Sequence, residues 1–384
     1  MKKNKRKKSK FKRTLSFIFA ILLLIIICYS QKDRLFGNQN NSIESSQSIP
    51  LPEGKEVKLS AKDDQEGNLE IFFFQLENES SQSMVGDEIY LKYGDIDILI
   101  DAGVQYIGSN IVKPYLEEKV TDKVIELCIN THTDLDHIGG FVGLKKDSAY
   151  TGVMSTSCKI NYFIDSGYEA STEIYKNYKS ERDKLVNNGT SYYSYEQTMT
   201  HDNIPSKYIL GTDTYIELLD SKIYENNFSG SNDVNDYSVP LILHHGKTSF
   251  LLMGDCEKKA EENVLKYNNL PEVDFFKANH HGSPTSNTKG LLDVIKPDYI
   301  IIDATKENKY NLPKKEIVDR FLNYTQEIYA PFINGGIHVY SDKEKLSFDC
   351  DGYIDYTSGV GILDENTKGT PIKLQTTSWY QNAV

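Results

Sequence analysis

Three apolar runs in this chain each end in acid or imidazole groups: "ELCIN" leads into Thr131 and His132, "SFLLMG" into Asp255, and "DFFKAN" into His280 and His281. Short apolar runs bounded by turn signals read as buried strands. Layered α/β folds gather their sites at strand ends, so the three ends are expected to meet. The first end is the densest. "THTDLDHIGG", residues 131–140, places His132, Asp134, Asp136 and His137 within one short loop. An aspartate there can cap the helix that "LDHIGGFVGL" opens, because a short side-chain oxygen satisfies free N–H groups of a first turn. A cap accounts for one carboxylate and for neither histidine. Imidazole nitrogens and carboxylate oxygens together are what a hydrolytic metal centre requires, and paired ions both activate water and grip the scissile group. His132 and Asp134 would serve one ion, Asp136 and His137 the other, with Asp255 bridging the two.

The rest of the chain supports a layered fold. From Leu69, "LEIFFFQL", "DEIYLKY" and "DIDILIDAG" are strand-like. Helices and strands then alternate: "SNIVKPYLEEK", "VIELCIN", the strand pair "VPLILHH" and "TSFLLMGD", the helix "CEKKAEENVLKYN", "VDFFKANHH", "TKGLLDVI", "DYIIIDA", "KKEIVDRFLNY" and a closing hairpin "GIHVYSDKEKLSFDC". Strands first and alternation afterwards predict an α/β sandwich over residues 69–352. Residues 165–205 read as an insertion carrying one amphipathic helix, and 353–384 as a C-terminal tail with weak strand character. His244 and His245 fall at the expected hairpin turn and are read as surface residues; His201 and His338 receive no role.

The N-terminus belongs to a different class of segment. Residues 1–13 carry nine Lys and Arg, and the apolar run 14–30 follows, which is the pattern of a membrane-targeting segment. The run is just long enough to span the roughly 30 Å hydrocarbon core, so a single apolar helix anchoring the chain is expected, with cleavage near Ser30 and secretion as the alternative. With the basic stretch held inside, the body lies outside the cytoplasm. Residues 31–68 are polar and read as a linker. Without the nine leading cations the net charge moves from −12 to −21, which counts against holding long DNA by non-specific contacts alone. Cys128, Cys158, Cys256 and Cys350 of the body allow three pairings, with Cys128 and Cys256 expected as buried thiols.

The loop, taken with "NDYSVPLIL", "TSFLLMGD", "NHHGSPTS" and "PDYIIIDATKENKYNLPKKEIVDRF" in that order, resembles the metallo-β-lactamase fold. Within it, the set is similar to the C-terminal hydrolase domain of the ComEC competence proteins and their stand-alone relatives. The resemblance runs from about Leu69 to Cys350. It implies an αββα sandwich of the metallo-β-lactamase type, two divalent ions (zinc or manganese) and hydrolysis. His132, Asp134, Asp136, His137 and Asp255 match metal-binding positions, with Asp136 and Asp255 at the catalytic centre. One histidine of the pair His280 and His281 matches the last ligand. Asp101 in "ILIDAG" matches an aspartate that supports the ligand loop from behind. The common form of the loop has histidine where Asp134 stands. Asn235 or Asp236 occupies the place of a frequent ligand histidine, and Leu312 that of a histidine before proline.

The function expected on this basis is that of a membrane-anchored, extracytoplasmic, metal-dependent hydrolase cleaving phosphodiester bonds, in nucleic acid or a cell-envelope polymer. Alternatives are hydrolysis of surface polymers or of small esters and lactones, and a metal-stabilised binding module without catalysis. No protein partner is indicated.

Overall fold

The computed structural model describes residues 55–76, 86–225, 234–358 and 360–383. The basic segment and the apolar run, residues 1–30, lie outside the described residues; among those described, no helix is long and apolar enough to cross a membrane.

Two large sheets form the body. One has nine strands, with Leu69–Phe73, Ile89–Tyr93, Ile96–Ile100, Val124–Asn130 and Lys159–Asp165 side by side at its centre. The other has eight, with Leu241–His245, Thr248–Leu252, Phe275–Lys277, Tyr299–Ile301 and Glu327–Tyr329 forming one side. The sheets face one another: the Phe275 ring lies 5.6 Å from Phe73 of the first sheet and 5.6 Å from Phe250 of its own. Its neighbour Phe276 points the other way, as the two-residue period of a strand requires, and packs with Val264, Leu292 and Phe321 from the outer helices. On the far side, Leu116, Ile138, Phe141 and Tyr178 of three helices cover Leu99, Cys128 and Phe163. The order is therefore helix, sheet, sheet, helix, with each fully buried Leu, Ile or Phe contributing roughly 1.5–3 kcal/mol.

Some boundaries differ from the sequence reading. Glu56–Lys58, placed in the linker, is an edge strand paired in parallel with Lys207–Gly211. In the tail, Lys368–Gly369 pairs with Leu346–Asp351, and Leu374 is fully buried in the outer helical core. Both segments are too short for periodicity to show; long-range pairing decides them. His245 is not a surface residue either. It ends the strand Leu241–His245 with no exposure, its Nδ1 lies 2.7 Å from Ser341 Oγ, and burial, aided by Lys343, lowers its pKa to about 4. All four body cysteines are free and buried.

Parallel pairing aligns the strand ends that matter. Val124–Asn130 runs parallel to Ile96–Ile100, and Phe275–Lys277 parallel to Thr248–Leu252 and Tyr299–Ile301. Asp101, His132, Asp255, His280, His281 and Asp303 all follow the C-terminal ends of such strands.

Candidate metal centre

Four imidazoles converge on one carboxylate oxygen. Asp255 Oδ2 lies 3.2 Å from His281 Nε2, 3.4 Å from His137 Nε2, 3.8 Å from His280 Nε2 and 3.9 Å from His132 Nε2. Asp136 Oδ2 is 3.9 Å from His281 Nε2, and Asp134 Oδ2 is 3.9 Å from His132 Nε2. All seven residues singled out as ligands thus border one centre. His132, His137, His281 and Asp255 are buried, while Asp134, Asp136 and His280 stand towards solvent and mark its open side.

Hydrogen bonds behind the centre dictate which imidazole nitrogen faces it. Asp101 accepts from the Asn130 amide, from Thr131 N at 2.7 Å and from Thr131 Oγ1 at 2.6 Å, and its Oδ2 is 2.8 Å from His137 Nδ1. A carboxylate can only accept, so His137 donates from Nδ1 and turns Nε2 inward. Thr131 Oγ1, having donated to Asp101, can accept from His132 Nδ1 at 3.1 Å. The Asp303 carbonyl accepts from His281 Nδ1 at 2.8 Å. Metal-binding histidines are oriented in this way, by donating the distal N–H to a carboxylate or carbonyl. The glycine pair makes the arrangement possible: a Cβ on Gly140 would sit 1.7 Å from the Ala102 carbonyl oxygen. The helix Leu135–Val142 can therefore press onto the Asp101 turn, with Gly140 N donating to Gly103 O at 2.7 Å. Asp134 occupies the N-cap position of that helix but makes no capping hydrogen bond, so capping does not explain it.

The backbone is strained where the side chains are aimed. Asp101, His280 and His281 have φ of 55°, 48° and 53°, left-handed values that cost non-glycine residues of order 1–3 kcal/mol each. Such strain persists where the surroundings over-determine it, as at ligand clamps.

The residues present fit a cation. His132 Nε2, His137 Nε2, His281 Nε2 and Asp255 Oδ1 are buried without a hydrogen-bond partner, and each such atom costs about 1–3 kcal/mol if left so. The charges are arranged accordingly. Burial opposes ionisation of Asp255, yet His281, His137 and His280 outweigh it and hold its carboxyl well below the usual range. Burial keeps His132 well below an ordinary imidazole.

His281 and His280 differ in their surroundings. His281 is fully buried, with Nδ1 on a carbonyl and Nε2 bare. His280 is partly exposed and has Nδ1 3.4 Å from Glu257 Oε1. The Asn235 amide lies 3.5 Å from Glu257 Oε1, and Asp236 accepts from Glu257 N and Ala260 N at the start of the helix Lys258–Tyr267. These two residues support the rim.

Two functional neighbours escaped the sequence reading. Lys277 is wholly buried, ion-paired with Asp87, and has Nζ 3.9 Å from Asp255 Oδ1. Burial pushes the lysine down, but Asp87 and Asp255 outweigh it and hold it charged. Asp87 Oδ1 is also 3.5 Å from His281 Nδ1. A lysine inside the otherwise apolar "DFFKAN" was the available signal, since buried lysines occur almost only in pairs. Nothing local pointed to Asp87 as the partner.

No family model matches the chain. Among curated proteins, Recombination protein 2 of Haemophilus influenzae is 26% identical over 253 residues, which cover 65% of this chain and 27% of that protein. ComE operon protein 3 of Bacillus subtilis is 24% identical over 231 residues, covering 60% and 26% respectively. The chain resembles the competence proteins. It spans about a quarter of the length of these relatives. Among solved structures, the metallo-β-lactamase fold protein YhfI of Bacillus subtilis aligns with a TM-score of 0.40 and 7% identity over 68% of this chain and 95% of its own.

Proposed function

We propose that the protein is a metal-dependent hydrolase of phosphodiester bonds, anchored by its N-terminal apolar segment with the body outside the cytoplasm. The observation that carries the reading is the single oxygen Asp255 Oδ2 ringed by four imidazole nitrogens, three of them buried and unpartnered. His132 and Asp134 would hold one divalent ion, Asp136, His137 and His281 the other, and Asp255 would serve both. When bound, such a pair supplies a Lewis acid and acidifies water, which suits attack on a phosphodiester.

The chain's own residues do the positioning. Asp101, Thr131 and the Asp303 carbonyl fix three imidazoles in one tautomer. Lys277 behind Asp255 Oδ1 balances part of the carboxylate charge and leaves Oδ2 for the centre. His280, backed by Glu257 at the open rim, is placed to donate a proton from Nε2 to a leaving oxygen. Similarity to recombination and competence proteins supports a phosphodiester substrate; the match covers only a quarter of those proteins, so the substrate is argued from the site.

The test is metal content and turnover of bis(p-nitrophenyl) phosphate and of lactones by protein loaded with manganese or zinc, beside Asp255→Ala. The expectation is phosphodiester turnover that follows bound metal and falls with the loss of Asp255. Metal uptake without turnover of any ester would make the protein a binding module. For location, protease added to intact cells should digest the body; full protection until lysis would refute the orientation.

A further inference from the structure

Beside the metal centre lies a second feature that the hydrolytic reading does not use. An open groove of about 1020 Å³ runs between the segment 306–315 and the C-terminal residues 377–383. Lys306, Lys314 and Lys315 line it against a single acid, Glu307, with Trp379 and Asn382 on the opposite wall. In a chain of net charge −12, three lysines gathered on one groove stand out; Lys306 Nζ lies 5.8 Å from the Tyr353 ring centre and faces Asp355. Lys315 is partly neutralised by Asp319, 2.9 Å away, and Lys314 Nζ donates to the Tyr310 carbonyl.

Groove and centre share a wall. Lys314 N donates to Gly282 O at 3.1 Å, and Pro313 packs where a Cβ on Gly282 would lie, 2.5 Å from it. Gly282 follows His281, whose Nδ1 is held by the carbonyl of Asp303, two residues before Thr305. Lys309 and Tyr310 belong to the same segment 306–315 that lines the groove. Lys309 Nζ lies 4.6 Å from the centre of the Tyr310 ring, and Tyr310 is 51% exposed. The segment is preformed: Asn308 donates to the Thr305 and Leu312 carbonyls and accepts from Tyr310 N and Leu312 N. Trp379 is braced on Phe332, ring centres 5.2 Å apart. Lysines beside aromatic rings along one path are what a flexible polyanion takes.

We infer that this groove binds anionic units of a phosphodiester polymer adjoining the bond held at the metal centre. The inference rests on the hydrolase reading and extends it from a small ester to a chain substrate.

Trp379 is the only tryptophan in the sequence, so its emission reports on the groove directly. The full chain, kept metal-free with chelator, is titrated with single-stranded oligothymidylate of roughly ten nucleotides, with poly(glycerol phosphate) and with inorganic phosphate, at several salt concentrations. A saturable change with either polymer and none with phosphate is expected, and which polymer responds tells the backbone chemistry. Lys306→Ala with Lys314→Ala should weaken binding and flatten the logarithmic salt slope by about 1.4, at roughly 0.7 per phosphate contact on a single strand. Lys306→Arg with Lys314→Arg should keep both, which separates lost charge from lost folding. No emission change with either polymer, or a slope untouched in the alanine variant, overturns the groove. Because the readout needs no turnover, polymer binding without ester hydrolysis would sink the hydrolase reading alone, and hydrolysis without binding would sink the groove alone.

Discussion

Replacing Lys277 by Met tests whether the charge behind the centre is held as the structure shows. The lysine ammonium has no exposure, pairs with Asp87 at 1% exposure, and approaches Gly254 O at 3.4 Å and Asp255 Oδ1 at 3.9 Å. Methionine fills nearly the same volume, so little of the effect is cavity. What remains is a buried Asp87 without its cation, and breaking a buried pair from one side costs about 3–5 kcal/mol. Against a total stability of about 5–15 kcal/mol, that is about a fifth or more of the reserve. Removing the second charge should restore part of it: in Lys277→Met with Asp87→Asn no ionised group is stranded, so the double variant should be more stable than the sum of the single changes implies. Urea unfolding with chelator present measures all four proteins, and the midpoints give the coupling. A cost below about 1 kcal/mol for Lys277→Met, or additive single effects, would refute a charged pair at this position.

Other outcomes follow from the same geometry. His281→Ala should lose bound metal, whereas His280→Ala should keep it and lose turnover; metal analysis beside kinetics decides, and equal metal loss in both would refute the division. Asp134→His exchanges an oxygen donor for nitrogen, and nitrogen-rich sites favour zinc over manganese. The unaltered protein should therefore work better with manganese and the variant shift towards zinc; zinc preference in the unaltered protein with no shift would refute it. Far from the centre, His338 lies between Glu70 Oε1 at 2.6 Å and Asp351 Oδ1 at 3.2 Å. Burial alone would lower its pKa, but these carboxylates raise it to about 9 from 6.5. A raised folded pKa contributes stability that is complete below pH 6.5 and lost as pH rises through 9, worth about 3 kcal/mol. Thermal unfolding from pH 6 to 10 should show the loss in the parent and not in His338→Gln; parallel curves would refute it.

Much of the site was legible in the sequence because its parts are local. His132, Asp134, Asp136 and His137 sit in one loop, and Asp255 and the 280–281 pair follow short apolar runs bounded by turn residues, which mark them as strands. Asp101 came from its resemblance to a supporting aspartate, and the structure shows four hydrogen bonds to it. What required the tertiary structure was every property set by partners distant along the chain. The choice between His281 and His280 turns on a carbonyl 22 residues away. Lys277 finds Asp87 across 190 residues, and His245, expected at a surface turn, is sealed by Ser341 96 residues on. Periodicity and spacing are consequences of backbone geometry within a few residues. Which buried polar group meets which partner depends on how two sheets close on each other, and only the assembled layers satisfy, or leave bare, the atoms on which the proposed chemistry depends.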